Sequence, residues 1–313
     1  MRGDVTRFLI KLVSFGALLL VLAAGINYAV GKKIRKEEDL YYRWTYEELF
    51  SGKESANLVI FGSSRAKHGI NPKYLERDGI RTFNFSLNGS GPAFLRKWYA
   101  QLFRKYYPAP RIAILEVNGF IFDSAMLWRK FEHDSIFLTF DAFADAILDG
   151  GNSPPLLLLN RFPIFRERGN LGAMFFSEES IVAMSRYYKG FVPLESARTI
   201  PVKPSPKPSV SRERLLDFEA LLGELEKDRV KVVLVQTPEH RPAVPSAEIA
   251  WTLSHIRRIS REKGIPYLDY NGERKSGIND RNDLYWDPVH LNEKGSAEFS
   301  IRLNRDLAEI LKG

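Results

Sequence analysis

Three residues far apart in the chain have the types and local spacing for nucleophilic acyl chemistry. Asp287-Pro288-Val289-His290 puts an acid three residues ahead of an imidazole. On a turn, that separation lets the carboxylate hold one ring nitrogen while the other faces a hydroxyl. Gly62-Ser63-Ser64-Arg65 directly follows an apolar run. A serine at a strand-to-helix corner has an exposed hydroxyl, and the helix start offers N–H groups to a developing oxyanion. Ser64 is the candidate nucleophile, His290 the base and Asp287 the group that orients it. Both fragments also have plain structural uses, Gly-Ser-Ser as a turn and helix cap and Asp287 as a cap for local backbone. The other histidines, His68, His133, His240 and His255, lack a comparably placed acid ahead of a helix start.

Further side chains have two readings each. Arg65 and His68 could meet an acidic substrate group or be exposed helix-start residues. His240 and Arg241, in Gln236-Thr237-Pro238-Glu239-His240-Arg241, follow an apolar run and so lie at a sheet edge where ligands of open α/β folds bind; a solvent loop fits them equally. Glu116 is a second acid or a hydrogen-bonded structural carboxylate. Trp286, Tyr285 and Trp98 could stack on sugars or simply pack.

The elements needed to bring these residues together are legible. Asn57–Phe61, Ile112–Val117 and Val230–Val235 are compact apolar runs of the kind buried on both faces of a sheet, and Arg81–Ser86 and Pro266–Tyr270 complete five strands. Helical patterns at Pro92–Tyr106, Ser211–Lys227, Ala247–Lys263 and Asn292–Leu311 alternate with them. The expected fold class is α/β, a three-layer α/β/α arrangement around a five-stranded parallel sheet with right-handed crossovers. Residues 120–208 break the alternation and read as an insertion. It holds apolar patches at Ile136–Phe140 and Leu156–Leu159, a helix-like Glu178–Tyr188, and Pro201, Pro204, Pro206 and Pro208 as a stiff extended linker.

At the N-terminus, Leu12–Val30 carries no charge, about the ~20 residues a membrane-crossing helix requires. An uncleaved anchor is expected, since Ala23-Ala24-Gly25 is a poor cleavage site. The expected domains are therefore a tail and transmembrane anchor at 1–31, a charged connector with a short helix at 32–56, its N-cap at Thr45, and the α/β domain at 57–313. Arg2, Arg7 and Lys11 precede the span and Lys32, Lys33, Arg35, Lys36 and Arg43 follow it, a bias that favours the cytoplasm, although long domains translocate despite it. The net charge of +8 suits an anionic partner. Without zinc-ligand spacing, a phosphate loop or an RNA-binding signature, neither a metal, an organic cofactor nor nucleic acid is expected. The absence of cysteine excludes disulfides and a thiol nucleophile.

The chain resembles the SGNH (GDSL-like) hydrolases, whose fold is flavodoxin-like, whose nucleophile follows the first strand and whose Asp and His lie three apart before the last helix. Gly62-Ser63-Ser64-Arg65 stands where that family has its first block, with Ser63 in place of the usual Asp. Asn84-Phe85-Ser86-Leu87-Asn88-Gly89-Ser90 is similar to the second block, which makes Gly89 an oxyanion-hole donor beside Ser64, with Gly91 in reserve. The third block normally reads Gly-x-Asn-Asp; Glu116-Val117-Asn118-Gly119 departs from it and leaves Asn118 as the third donor. The fragment Phe61–Leu75 and the anchor resemble an exported branch, the teichoic acid D-alanine transfer protein and the accessory proteins of polysaccharide O-acetylation. The resemblance implies a membrane-anchored serine esterase or O-acyltransferase outside the cytoplasm, passing an acyl group from an ester donor to a polysaccharide or polyol, with a membrane-bound O-acyltransferase as partner. The alternative is a non-catalytic scaffold of the same fold that recruits such an enzyme or a polymer synthase.

Overall fold

The computed structural model describes residues 2–50, 56–77, 79–104, 107–123, 188–195, 208–240, 245–272 and 277–312. The N-terminal helix up to Arg43 and the α/β body fall into separate compact units. Helix α1 runs without interruption over Arg2–Phe50, so the expected connector and short helix capped by Thr45 are one continuous element. The residues from Lys32 to Phe50 contain neither glycine nor proline and are rich in good helix formers, so nothing in the local sequence ends the helix. Its Val5–Ala29 segment is long and apolar enough to cross a membrane, at 1.5 Å per residue more than the ~30 Å of a hydrocarbon core. That segment begins earlier than the uncharged stretch and takes in Arg7 and Lys11 near its start.

The body is the expected α/β fold with a five-stranded sheet. Strands β1 (Leu58–Phe61), β2 (Thr82–Asn84), β3 (Ile112–Glu116), β4 (Lys231–Gln236) and β5 (Tyr267–Asp269) are ordered β2-β1-β3-β4-β5, and every pairing is parallel. The chain steps outward from β1 to β2, then crosses back to β3 and proceeds the other way. The direction of winding therefore switches between β1 and β3, where open α/β sheets form their crevice. Right-handed crossovers put α2 (Ser64–Gly69) and the last helix, α6 (Glu293–Lys312), on one face and α3 (Pro92–Lys97), α4 (Arg212–Lys227) and α5 (Ala247–Lys263) on the other.

Side-chain contacts follow that division. On the α2 and α6 face, Leu58, Ile60, Ile112, Ile114, Val233 and Val235 pack with Phe299, Leu303 and Leu307, and Asn71 N–H donates to Ser300 Oγ at 2.9 Å. On the opposite face, Arg96 pairs with Glu224 and Arg258 with Glu219, linking α3 to α4 and α4 to α5. Helix α3 is shorter than its sequence pattern because it passes at Trp98 into a π-helical stretch, Trp98–Phe103. Its wider turn, with i→i+5 hydrogen bonds, brings Trp98, Tyr99 and Phe103 all into the core, where Phe61 meets Tyr99 and Phe103 edge-on. Trp98 is thus a core residue, with no surface for a sugar.

The described ends of the insertion belong to the fold. Asp123 and Val210 form an antiparallel bridge, Ser211 N–H donates to Phe122 O at 2.8 Å, and Pro208 is buried rather than part of a free linker. The return segment Tyr188–Glu195 lies along the outer edge of β2, where Asn84 N–H donates to Lys189 O at 2.9 Å. It then crosses α2, with Val192 N–H donating to Lys67 O. Residues 124–187 and 196–207, with both apolar patches, most of the Glu178–Tyr188 pattern and Pro201, Pro204 and Pro206, lie outside the described residues.

Gly190 makes this edge contact possible. Its φ is +85°, and an added Cβ would lie 1.8 Å from Asn84 O. Gly190→Ala is expected to lower the stability of the body by about 2 kcal/mol or more, through backbone strain and a clash that backbone cannot relieve, read as a fall in the urea midpoint.

Candidate active site

The nucleophile turn is set by the end of β1 and the start of α2. Ser63 caps α2 in an extended conformation, its Oγ accepting from Arg65 N–H at 3.3 Å. Ser64 is the first residue of α2, so its N–H has no acceptor within the helix. Asn84, which the motif comparison used only as the start of a block, fixes the other end of α2: its Nδ2 donates to Ala66 O at 2.9 Å and Ile70 O at 2.8 Å. The 87–90 loop is drawn up to the same turn, with Leu87 N–H and Ser90 Oγ both donating to Gly62 O, at 2.9 and 2.6 Å. Gly89 lies within this loop and Gly91 directly after it.

The acid and imidazole sit on the loop ahead of α6. Tyr285 and Leu291 bridge across it, and Trp286 N–H donates to His290 O at 2.9 Å. Asn292 closes the loop below, its Nδ2 donating to Asp283 O at 2.9 Å and its Oδ1 accepting from Gly295 N–H at 2.9 Å, which also caps α6. Asp287 Oδ1 accepts from the backbone N–H of Val289 at 2.8 Å and of His290 at 2.7 Å. Its Oδ2 lies 2.7 Å from His290 Nδ1, and His290 Nε2 lies 2.8 Å from Ser64 Oγ. A residue 226 positions away thus meets the serine hydroxyl, and with Nδ1 protonated, Nε2 is the acceptor the hydroxyl requires. Burial pushes the Asp287 carboxyl up, but the imidazole and the two backbone N–H groups outweigh it and hold the acid below its usual value.

Several expected binding residues have other duties. Arg65 is only 7% exposed; its guanidinium pairs with Glu239 and lies over the Phe120 ring, so it is not a solvent-facing helix-start residue. Glu239 is held in turn by Asn271 Oδ1 through its N–H at 2.7 Å and by Asn279 Nδ2 through its carbonyl at 3.0 Å. His68, also 7% exposed, has Nδ1 at 2.8 Å from Val192 O and its ring edge-on to His290 at 6.0 Å. Burial, then the neighbouring Lys67 charge, pushes its pKa from 6.5 down to about 3. A neutral imidazole offers no cation to an acidic substrate group, which corrects that expectation. Asn118 is buried, with Nδ2 donating to Glu116 Oε1 at 2.9 Å and Oδ1 accepting from Phe120 N–H at 2.8 Å, so one of its two amide N–H groups is spent on Glu116. Glu116 is the structural carboxylate of the two readings given above.

His240 lies at the rim. Its backbone N–H donates to Pro288 O at 2.9 Å and its Nε2 lies 2.6 Å from Asn282 Oδ1, so the β4 loop braces the Asp287–His290 turn. Arg241 lies outside the described residues. Tyr285 is fully buried, whereas Trp286 is 46% exposed with its ring 6.1 Å from that of His290. Of the three aromatics, only Trp286 presents a face beside the imidazole.

A serine, a histidine and an aspartate in hydrogen-bonded series at the switch point of a parallel sheet have the arrangement that a serine nucleophile requires. No protein-family model matches the sequence, and no curated protein matches it. Among solved structures the chain is similar to a lipase/acylhydrolase from Enterococcus faecalis, at 11% identity over 80% of this chain and 95% of that one, with a TM-score of 0.41. It is also similar to a GDSL-like lipase from Bacteroides thetaiotaomicron, at 9% identity over 87% and 98%, with a TM-score of 0.40. A catalytic mutant of an acetylxylan esterase from Geobacillus stearothermophilus matches at 11% over 80% and 93%, with a TM-score of 0.38. Likeness at this level assigns neither family nor chemistry, and the functional case stands on the chain's own geometry.

Because His68 is depressed in the folded state, acid favours the unfolded chain. Its contribution to stability is whole above pH 6.5 and is lost as the pH falls from there toward about 3. Between pH 7 and pH 5 the wild type is expected to lose on the order of 2 kcal/mol more than His68→Asn, which keeps an N–H for Val192 O but does not titrate. Parallel urea midpoints of the two proteins across that range would remove His68 as the acid-sensitive group.

Proposed function

We propose that this chain is a membrane-anchored serine acyl-esterase or O-acyltransferase of the SGNH type, working through an acyl-Ser64 intermediate on a cell-envelope polysaccharide or related polymer. The observation that carries the reading is the unbroken line from Asp287 Oδ2 through the His290 ring to Ser64 Oγ, with links of 2.7 and 2.8 Å. In the first step His290 Nε2 takes the proton of Ser64 as Oγ attacks the ester carbonyl carbon. Asp287 stabilises the imidazolium, and the N–H groups of Ser64 and Gly89 receive the oxyanion. The tetrahedral adduct then expels the alcohol, which leaves with the proton from Nε2. An incoming hydroxyl, of water or of a sugar, gives its proton to Nε2 and attacks the acyl carbon, and Ser64 Oγ then leaves with that proton returned from Nε2.

The polymer substrate is supported by the family resemblance, by the net charge of +8 and by the exposed Trp286 face beside His290, on which a sugar ring could stack. The Val5–Ala29 helix supports a single-pass anchor, with the body on the outer side of the cell membrane and a membrane-bound O-acyltransferase as its partner. The departure of Glu116-Val117-Asn118-Gly119 from the family's third block favours a second reading, a scaffold that keeps the fold and recruits such an enzyme.

A fluorophosphonate probe separates the two. The purified protein is expected to be labelled at Ser64 and Ser64→Ala to be unlabelled, while a folded wild type that stays unlabelled leaves the scaffold. Asp287→Asn is expected to lower kcat on an aryl acetate by about 10³–10⁴-fold, because the imidazole loses its orientation and its counter-charge. For topology, a phosphatase fused after Gly313 should be active only outside the cytoplasm; activity inside would end the envelope-polymer assignment and leave the fold intact.

A further inference from the structure

Glu116 is a titratable group buried to 1% exposure directly behind the nucleophile turn, and the acyl-transfer steps above make no use of it. Strand pairing determines where it lies: Phe61 of β1 is in register with Leu115 of β3, so the next residues, Gly62 and Glu116, stand side by side at the carboxyl end of the sheet. A side chain at position 62 would leave no room, because an added Cβ would be 2.5 Å from Glu116 Cβ and 2.9 Å from Glu116 Oε2. The glycine ahead of the two serines is thus the space that the Glu116 side chain fills.

The carboxylate's hydrogen bonds converge on one turn and its neighbour strand end. Oε2 accepts from Ser63 N–H at 2.9 Å and from Ser63 Oγ at 2.8 Å, and Oε1 accepts from Asn118 Nδ2 at 2.9 Å. The two bonds on Oε2 fix both the peptide plane between Gly62 and Ser63 and the side-chain rotamer of Ser63. That rotamer carries the α2 cap to Arg65 N–H, so the orientation of the first turn of α2, where Ser64 Oγ and Ser64 N–H originate, is set by the same carboxylate.

Resting on the acyl-transfer reading, we infer that Glu116 is a positioning residue, which acts through Ser63 to aim the Ser64 hydroxyl at His290 and the Ser64 N–H at the oxyanion. It does not touch the reacting atoms. Its loss should therefore slow the chemical step and leave ground-state binding alone, since misplacement of a nucleophile by about 1 Å costs on the order of 100-fold.

The test uses the full chain in detergent with Glu116→Gln, Ser63→Ala and the double variant Glu116→Gln/Asn118→Asp, each assayed on an aryl acetate and for the rate of fluorophosphonate labelling. In Glu116→Gln the new amide N–H group faces that of Asn118, and kcat is expected to fall about 10- to 100-fold with KM changed by less than about twofold. Ser63→Ala removes one arm without altering the buried strand and is expected to lower kcat about fivefold to tenfold, with the modest fall in melting temperature of a lost helix cap. The double variant restores a donor opposite an acceptor and is expected to regain most of the melting temperature lost in Glu116→Gln. Wild-type kcat in Glu116→Gln and Ser63→Ala, beside an active wild type, overturns the positioning role alone, as does a KM effect with kcat unchanged. If Glu116→Gln does not fold, Ser63→Ala decides by the same criterion. A folded wild type inert to both reagents overturns the acyl-transfer reading and the positioning role with it.

Discussion

The carboxyl edge of the sheet depends on how the chain leaves β1. A strand that ends in Gly-Ser-Ser has little of its own to define the next turn, and the surrounding elements supply the definition. Two donors from the 87–90 loop fasten Gly62 O, and the Glu116 carboxylate holds Ser63. Each partner comes from an adjacent strand, β2 or β3, so parallel pairing on both sides of β1 is the condition for a defined corner. A hydroxyl held this way can be met by an imidazole carried on a loop more than two hundred residues later.

The second half of the site follows the same logic with different materials. The Asp287–His290 loop is fastened at its base by Asn292 and at its rim by the backbone of His240. The acid then spends one oxygen on its own loop and the other on the ring. Because the backbone N–H groups take Oδ1, the carboxylate has a fixed direction before the imidazole is considered, and the ring has one orientation in which both nitrogens are satisfied.

Much of this was legible in the sequence. Buried parallel strands are short apolar runs, and all five were visible within a residue or two; the Asp287 and His290 pair was visible because its spacing is local. What sequence could not show is which polar side chains spend their hydrogen-bonding capacity on each other. Arg65 and His68 look exposed when α2 is read alone, yet the return segment and the β4 loop cover them. Asn118 looks unengaged when read alone, yet Glu116, two residues earlier, takes one of its amide N–H groups. The continuity of α1 was missed for a simpler reason: charge in Lys32–Asp39 suggested a connector, whereas helix propensity there is high. The return segment carries no motif because its bonds to the body are made largely by backbone.

That return segment bears on the exposed edge of the sheet. Strand β2 is the last in the sheet, and its Asn84 amide would face water were Lys189 O not in place. A bare parallel edge is a template for pairing with a neighbouring molecule. Shortening the long excursion between Asp123 and Val210 would therefore strip the sheet of its cover and invite strand-to-strand aggregation, even with the bridge at the base of the excursion left whole.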